Sequence, residues 1–191
     1  MKVDPSIIIE CDENVYEPAE DTYLLIESLE VRRGERVLEI GSGTGIVSLH
    51  CAKAGADVTA TDISEDAVRL TESNASRNML HLKVLKSDLF EGIEGQFDLI
   101  VFNPPYLPED GREDARWSGG PAGLEIIGLF LRHANEHLRN DGRIVLILSS
   151  LTSLGEFNGI LDELGFASRT VREKELFFEK LYAVELRRRF G

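Results

Sequence analysis

The chain has few of the features that mark secreted, disulfide-bonded or membrane proteins. Cys11 and Cys51 are its two cysteines, and a pair this far apart forms neither a metal-ligand spacing nor a disulfide framework. No apolar run approaches the roughly 18 residues of a membrane span. The start, "MKVDPSIIIE", has only three apolar residues before an acid and does not resemble a signal peptide. We therefore expect a cytoplasmic protein in a reducing compartment, with no membrane partner.

Basic residues are also scarce. The 191 residues include 21 lysines and arginines against 34 aspartates and glutamates, which gives a formal net charge of −13 and a pI near 4.8. Such a charge repels phosphate backbones and argues against a nucleic-acid partner. A hydrophobic fraction of 42% is enough for a real core. Length and composition predict a single domain over residues 1–191, in which residues 1–30 form a short N-terminal extension with a helix.

Apolar periodicity predicts strands that alternate with helices. Strands are expected at residues 36–40, 57–62, 82–90, 97–106 and 142–150, and helices at residues 46–55, 64–78, 123–138 and 154–165. The tail after residue 165 alternates enough for two more strands, which we interpret as a hairpin. This alternation is typical of a parallel sheet with right-handed crossovers, and ligands bind such sheets at the carboxyl ends of the strands.

The first strand ends in a glycine turn. "EIGSGTG" runs from Glu39 through Gly41 and Gly43 to Gly45, a spacing that differs from the G-x-G-x-x-G of dinucleotide sites. We predict that Glu39 and these three glycines bind a ligand, because glycines allow a positive φ and a close approach of the backbone, although an ordinary tight turn would use them equally well. A glycine turn without a Walker lysine argues against nucleoside triphosphates.

We predict that acids end the next two strands, Asp62 the second and Asp88 the third. Asp62 lies 21 residues after Gly41, where a carboxylate can bind ribose hydroxyls, and Asp88 can accept from an adenine amine or serve as a turn cap. Ile63 and Leu89 directly follow these acids and are expected to line the same pocket. An adenosine without phosphates, joined to a cationic sulfonium, suits an acidic pocket best. The predicted cofactor is therefore S-adenosylmethionine.

The fourth strand ends in "FNPPY", which is stiff and poor in backbone donors because proline fixes φ and has no N–H. A conjugated amide or aromatic amine nitrogen is a weak nucleophile, and an enzyme must orient it and accept its two hydrogens. We predict that the Asn103 side-chain oxygen and the Pro104 carbonyl accept them, beside the cofactor. Pro105 would hold these acceptors in place, and Tyr106 would stack on the planar group. A proline-rich surface loop is the alternative.

Taken together, "EIGSGTG", "TDIS" and "FNPPY" resemble the class I S-adenosylmethionine-dependent methyltransferases with an N-P-P-Y motif. "VYEPAEDTYLLIESL" (15–29) and "WSGGPAGLEII" (117–127) resemble the short archaeal and eukaryotic branch of the HemK-like release-factor glutamine methyltransferases. The resemblance implies a Rossmann-like, doubly wound α/β fold, with a mostly parallel seven-stranded sheet and an antiparallel last strand. It implies methylation of the glutamine side-chain amide in the Gly-Gly-Gln loop of a class 1 peptide-release factor.

The resemblance also implies further site residues and a partner. It assigns the methionine end of the cofactor to Tyr16, Glu20, Asp21 and Thr22. Trp117 would line the substrate groove or act as an ordinary hydrophobic anchor. Short members of the family work with a small zinc-binding activator protein. If the strand order is that of the class, the strand at 82–87 lies at a sheet edge, where the activator could pair.

Several alternatives remain open from the sequence. An adenine N6-methyltransferase acting on DNA or RNA would also use N-P-P-Y, although the acidic charge counts against it. Methylation of another protein side chain, such as a lysine, is a further reading, and a non-catalytic binding module is a third. His133 and His137 have helical metal-ligand spacing but no evident third ligand, so we expect no metal site.

Overall fold

The computed structural model describes residues 1–105 and 124–189 and has a seven-stranded sheet at its centre. In chain order the elements are α1 (Glu20–Ser28), β1 (Arg36–Ile40), α2 (Ile46–Lys53), β2 (Asp57–Asp62), α3 (Glu65–Arg77), β3 (Lys83–Lys86), β4 (Phe97–Phe102), α4 (Glu125–His137), β5 (Leu138–Ser149), α5 (Leu154–Leu164), β6 (Phe166–Glu175) and β7 (Lys180–Arg188). The strand order is β3-β2-β1-β4-β5-β7-β6. The first five strands are parallel, and β7 runs antiparallel to both β5 and β6. The predicted doubly wound sheet with an antiparallel last strand is confirmed.

Alternating side chains of the central strands build one core on each face of the sheet. Ile100 and Phe102 of β4 pack with α4 and α5, whereas Leu99 and Val101 of the same strand pack with α1 and α2. All four side chains are at most 3% exposed. A strand that is buried on both faces contains continuous apolar sequence, which is why "FDLIVF" shows no alternation of polarity.

Three element boundaries differ from prediction. Strand β3 ends at Lys86 and not at residue 90, because Leu89 has a φ of 48° and Ser87 Oγ donates to the carbonyl of Leu89, which turns the chain. The prediction that Asp88 ends this strand was therefore wrong. Strand β4 ends at Phe102, so the proline motif follows the strand and is not part of it.

Strand β5 begins earlier than predicted, at Leu138. Leu138 pairs with Phe97, and the register then shifts before Leu99 pairs with Arg143. This irregularity lets the chain pass directly from α4 into the sheet. Helix α4 accordingly ends at His137, whose ring stacks on Phe90 with 5.0 Å between centroids.

The N-terminal extension is fastened to the sheet's glycine turn by a buried amide. Asn74 of α3 accepts from the Glu10 N–H at 2.8 Å and donates to the carbonyls of Glu10 and Thr44 at 3.0 and 2.9 Å. Its side chain is fully buried, so these bonds are protected from water. Further along the chain, Tyr16 lies beside Gly43 after β1, and Asp21 accepts from Asn103 after β4.

The two outer strands differ in length and exposure. Strand β3 has four residues, whereas β6 has ten and is exposed along most of its length. The pairing of β6 with β7 shifts register between Thr170 and Arg172. Among the residues that the structure describes, no helix is long and apolar enough to cross a bilayer.

Helix α2 begins over a buried carboxylate. Glu39 of β1 is 4% exposed, and its Oε2 accepts from the Ser48 N–H at 2.9 Å and from Ser48 Oγ. Glu39 thus satisfies one of the free N–H groups in the first turn of the helix. Burial raises the pKa of Glu39 to about 8, against the lowering effect of the Ser48 hydrogen bonds.

A pH-dependent contribution to stability follows from this raised pKa. In the folded protein Glu39 keeps its proton up to a pH of about 8, whereas in the unfolded chain it loses the proton above its ordinary pKa of about 4.3. The stability that Glu39 contributes to the folded state is therefore fully present below about pH 4 and is lost as the pH rises from about 4 to 8. Glu39→Gln mimics the neutral form. Urea unfolding should show the wild type losing about 1–3 kcal/mol relative to Glu39→Gln between pH 5.5 and 7.5. The exposed-site control Glu91→Gln should show no such trend, and a constant difference for Glu39→Gln would contradict the assignment.

Candidate active site

Asp62 ties the glycine turn to the end of β2. Its Oδ2 accepts from the Gly43 N–H and its Oδ1 from the Ser64 N–H, both at 2.9 Å. Ser42 adds a bond from its N–H to the Thr61 carbonyl at 2.8 Å. Burial raises the pKa of the Asp62 carboxyl above its usual value, although these backbone N–H groups favour its charged form. The turn and the acid predicted for the adenosine therefore form one rigid unit.

The three glycines of the turn have different surroundings. All three have a positive φ, between 53° and 80°. A Cβ on Gly41 or Gly43 would meet nothing closer than 3.8 Å, so their faces leave room for a ligand. A Cβ on Gly45 would lie 2.8 Å from Thr71 Cγ2, because α3 packs directly against this point. Gly45 is thus needed for helix packing, a contact that no sequence pattern indicated.

The remaining residues predicted for the adenosine end also lie near the carboxyl ends of the parallel strands, which we call the rim of the sheet, and they differ in exposure. Ile63 directly follows Asp62 and is 64% exposed. Asp88 is exposed beyond the end of β3, and Leu89 is half-buried against the core under the sheet. Glu39 lies below the turn and is directed to α2 through Ser48. Their contacts with a cofactor stay predictions.

Asp21 and Asn103 meet at the centre of the site. Asn103 Nδ2 donates to Asp21 Oδ2 at 3.0 Å, although the two residues are 82 positions apart. The Asp21 carboxylate also accepts from the Tyr16 hydroxyl at 3.0 Å and from the Thr22 N–H at 2.6 Å. Burial, followed by the charge and hydrogen bond of Asp21, raises the pKa of Tyr16 well above its usual range. Of the residues that the resemblance grouped at the methionine end, Tyr16 and Thr22 therefore both bond the carboxylate of Asp21.

The other face of Asn103 carries an unsatisfied acceptor. Its Oδ1 is buried and, within residues 1–105 and 124–189, has no hydrogen-bond partner. A carboxylate accepts but does not donate, so the amide nitrogen has to face Asp21 and the oxygen has to face away. Buried acceptors normally have a donor, and leaving one unpaired costs about 1–3 kcal/mol. The Asn103 Oδ1 atom is such an exception, and it lies at the end of a central strand.

The neighbours of Asn103 agree with a rigid acceptor. Pro104 is buried and Pro105 half-buried directly after β4. Tyr106 and Trp117, predicted to contact the substrate, lie outside the described residues. Glu20 is directed outward and pairs with Lys174 of β6. Within the described ranges no three metal-ligating side chains come together, and His133 is exposed on α4.

These residues fit S-adenosylmethionine. A glycine turn with open space at Gly41 and Gly43 suits the backbone approach of an adenosine, and Asp62 is placed at the ribose position of such folds. The carboxylates of Asp21 and Asp62 suit a sulfonium cation. The buried Asn103 Oδ1 has no partner among the described residues.

Comparisons with known proteins agree with this geometry. Residues 16–177 match the model of the methyltransferase small domain. A Methanocaldococcus jannaschii protein, named as a protein N5-glutamine methyltransferase, is 40% identical over 89% of this chain and 90% of its own length. The Mtq2–Trm112 complex of E. cuniculi, described as responsible for methylation of the translation termination factor eRF1, contains a chain with 26% identity and a TM-score of 0.76, covering 92% of this chain and 99% of that one.

A third similar protein was solved with the cofactor. The 16S rRNA methyltransferase RsmC of T. thermophilus, in complex with AdoMet and guanosine, is 25% identical with a TM-score of 0.72, over 91% of this chain and 44% of that one. S-adenosylmethionine is accordingly the cofactor of this enzyme. The chain belongs to the methyltransferase small domain family and, within it, to the protein N5-glutamine methyltransferases.

Proposed function

We propose that this enzyme transfers a methyl group from S-adenosylmethionine to the side-chain amide nitrogen of the glutamine in the Gly-Gly-Gln loop of a class 1 peptide-release factor. Its similarity to a glutamine methyltransferase and to the Mtq2 chain that acts on a termination factor supports this substrate. The single observation that carries the proposal is the buried, unpaired Oδ1 of Asn103.

A glutamine amide makes a specific demand on the site. Its nitrogen is planar and its lone pair is delocalised, so it has to be held with that lone pair directed at the methyl group. Asn103 Oδ1 accepts one of its two N–H hydrogens, and the Pro104 carbonyl accepts the other. Acceptors that are already oriented before the substrate binds need no reorganisation during the reaction. Tyr106 stacks on the amide plane in this proposal.

The cofactor supplies an electrophilic methyl group on a cationic sulfur. In the transfer the carbon–sulfur bond breaks as a carbon–nitrogen bond forms, so the sulfonium leaves as a neutral thioether, and the nitrogen releases one of its two protons to solvent. Asn103 and Pro104 stabilise the positive charge that develops on the nitrogen through their partially negative oxygens. Asp62 and the glycine turn hold the adenosine. Asp21 keeps Asn103 oriented and adds negative charge near the sulfonium.

An adenine amine would make the same demand on Asn103, and RsmC shows that a similar fold can act on RNA. The net charge of −13 opposes the approach of a phosphate backbone. A release factor and a DNA or RNA oligonucleotide tested side by side, with mass mapping of the methyl group, separate the two functions. Methyl groups on adenine alone would refute the glutamine assignment.

We further propose that a small zinc-binding activator protein pairs with strand β3. The Mtq2 chain was solved with Trm112, and β3 lies at an edge of the sheet here. A groove of about 550 Å³ beside β3 is lined by apolar residues, among them Leu80 and Leu82, and by polar ones, among them Glu72 and His81. Met79, 88% exposed, lies at the same groove. An edge strand beside such a mixed groove suits strand addition by a partner.

The role of Asp62 is tested by Asp62→Asn, which keeps the size of the side chain but removes its charge and one acceptor. Titration calorimetry should show S-adenosylmethionine binding weakened by about 10- to 100-fold, in line with the loss of a hydrogen bond to a charged group. The control Asp66→Asn, which breaks an exposed ion pair with Arg69 on α3, should leave the affinity within twofold. Unchanged affinity in Asp62→Asn would remove Asp62 from the ribose site.

Asn103 should be needed for methyl transfer and not for cofactor binding. Asn103→Ala removes the acceptor, and the single-turnover rate at saturating cofactor should fall by about 10²–10³. Asn103→Asp should fail as well, because its carboxylate would stand about 3 Å from that of Asp21 and both would resist ionisation.

Adding Asp21→Asn to Asn103→Asp removes this repulsion and restores a donor–acceptor pair, so the double variant should recover part of the rate lost in Asn103→Asp. Near wild-type turnover in Asn103→Ala would overturn the mechanism. Loss of cofactor affinity in Asn103→Ala would instead assign Asn103 to the cofactor.

Strand β3 offers a clean test of the activator. The Ser87 N–H bonds the Asp62 carbonyl on β2, and N–H groups alternate sides along a strand, so the Val84 N–H faces outward. Val84→Pro removes an outward donor without breaking the ladder to β2 and should abolish co-purification with the activator. Lys86→Ala keeps every backbone donor and should retain the complex. A complex that survives Val84→Pro, with an unchanged melting temperature, would exclude pairing at this edge.

A further inference from the structure

The turn between β6 and β7 exposes two adjacent phenylalanines. We call residues 176–179 the hairpin tip. The Leu176 N–H donates to the Glu179 carbonyl at 2.8 Å and closes it. Phe177 is 91% exposed and Phe178 is 86% exposed. Their rings contact each other edge to face, with 4.6 Å between centroids and 81° between planes.

The fold does not account for these side chains. Turns at the ends of hairpins usually consist of glycine, asparagine, aspartate, proline or serine. Neither phenylalanine belongs to the two cores, and the ladder between β6 and β7 ends at Glu175 and Lys180, just before and after the tip. Two large rings held in water by a well-paired hairpin are typical of a contact surface.

The hairpin tip stands on the same rim as Asn103. Ser149 Oγ donates to Glu179, and the Ser150 N–H donates to the Lys180 carbonyl at 2.8 Å. Ser149 is the last residue of β5, and β5 is the direct neighbour of β4, which ends just before Asn103. The tip is therefore anchored to the strand beside the one that carries the acceptor.

Electrostatics supports this proximity. Burial and the charge and hydrogen bond of Asp21 raise the pKa of Tyr16, and the charge of Glu179 adds to the effect. The charge of Glu179 in the tip thus acts on the Tyr16 hydroxyl, which donates to Asp21. The hairpin tip and the Tyr16–Asp21 pair therefore lie at the same end of the sheet, on neighbouring parts of the structure.

We propose that Phe177 and Phe178 are a docking contact for the substrate release factor, which inserts its glutamine beside Asn103. This inference rests on the proposed function. The site that receives the glutamine is already an interface with the substrate, and the tip continues it outward. A glutamine in a loop of a folded protein brings neighbouring surface with it, and two rigid aromatic rings offer apolar area to that surface at little entropic cost.

The charge of this chain restricts the kind of partner surface that can dock on the hairpin tip. The side chain of Glu175 beside the tip is 84% exposed and pairs with Lys180 at 3.8 Å, so the negative charge that a partner meets comes mainly from the whole chain, whose net charge is −13. An anionic membrane surface would be repelled. The matching patch on the release factor should therefore be apolar, with basic residues around it.

Steady-state methylation of a folded release factor by the full chain, with its activator if required, tests the contact. The variant Phe177→Ser/Phe178→Ser should raise KM for the factor by about 10- to 100-fold, the effect of losing an aromatic anchor, and leave kcat and cofactor affinity within about threefold. Phe177→Leu/Phe178→Leu keeps apolar area and should recover most of the KM.

The matched control is Ile8→Ser, which replaces another exposed apolar residue, 63% exposed and held by Asn78 at the far end of α3. It should leave KM unchanged, and the melting temperatures of all variants should match the wild type. An unchanged KM in the serine variant, with an active wild type, would overturn the docking contact alone.

Other outcomes separate the two proposals. A wild-type enzyme that fails to methylate the release factor would overturn the proposed function, and with it the proposal that the release factor docks on the hairpin tip. A fall in kcat at unchanged KM would make the tip part of the reaction site and refute docking. Loss of activator co-purification, or of a dimer in sedimentation, by the serine variant would assign the rings to that partner instead.

Discussion

A carboxylate can only accept hydrogen bonds, and this constraint sets the orientation of the amide group at the centre of the candidate site. Asp21 lies in the first turn of α1 and Asn103 follows β4, and the bond between them is the point at which the N-terminal segment and the central sheet meet. Because the carboxylate takes the amide nitrogen, the amide oxygen has only one direction left. The carboxylate at residue 21 thus leaves the oxygen of the Asn103 amide, and not its nitrogen, without a partner among the described residues.

The two ends of the candidate site, around Asp62 and around Asn103, are held in place by different kinds of hydrogen-bonding groups. At the adenosine end backbone amides of the glycine turn and of Ser64 bind Asp62, so the turn keeps its shape before any ligand arrives. At the end proposed for methyl transfer, the side chains of Tyr16 and Asn103 are held by the shared Asp21 carboxylate, beside the backbone carbonyl of Pro104. The first arrangement suits a cofactor that is always the same molecule. The second suits a target whose orientation determines the outcome of the reaction.

Much of this arrangement was predictable because parallel strands bring their carboxyl ends to one rim. That rule was enough to place the glycine turn, Asp62 and Asn103 together from the sequence. It did not predict that Leu89 would turn the chain and leave Asp88 beyond β3, since a left-handed leucine has no sequence signature. Nor could it predict the contact of Thr71 with Gly45 or of Asp21 with Asn103, which depend on how helices dock on the sheet. The hairpin was predicted, but a turn without glycine, asparagine or proline gave no sign of where it would lie.

The unequal outer strands have a consequence for aggregation. A long exposed edge strand is a template to which another chain can add, and β6 has ten residues in that position. Charged side chains such as Arg169, Arg172 and Glu173 line it, and its register shift beside β7 interrupts the regular pairing surface. Strand β3 is too short to offer more than a few donors. The charges and the register shift of β6 therefore oppose the addition of strands from other chains at the long edge. At the short edge, β3 can bind only a partner that makes further contacts beyond strand pairing.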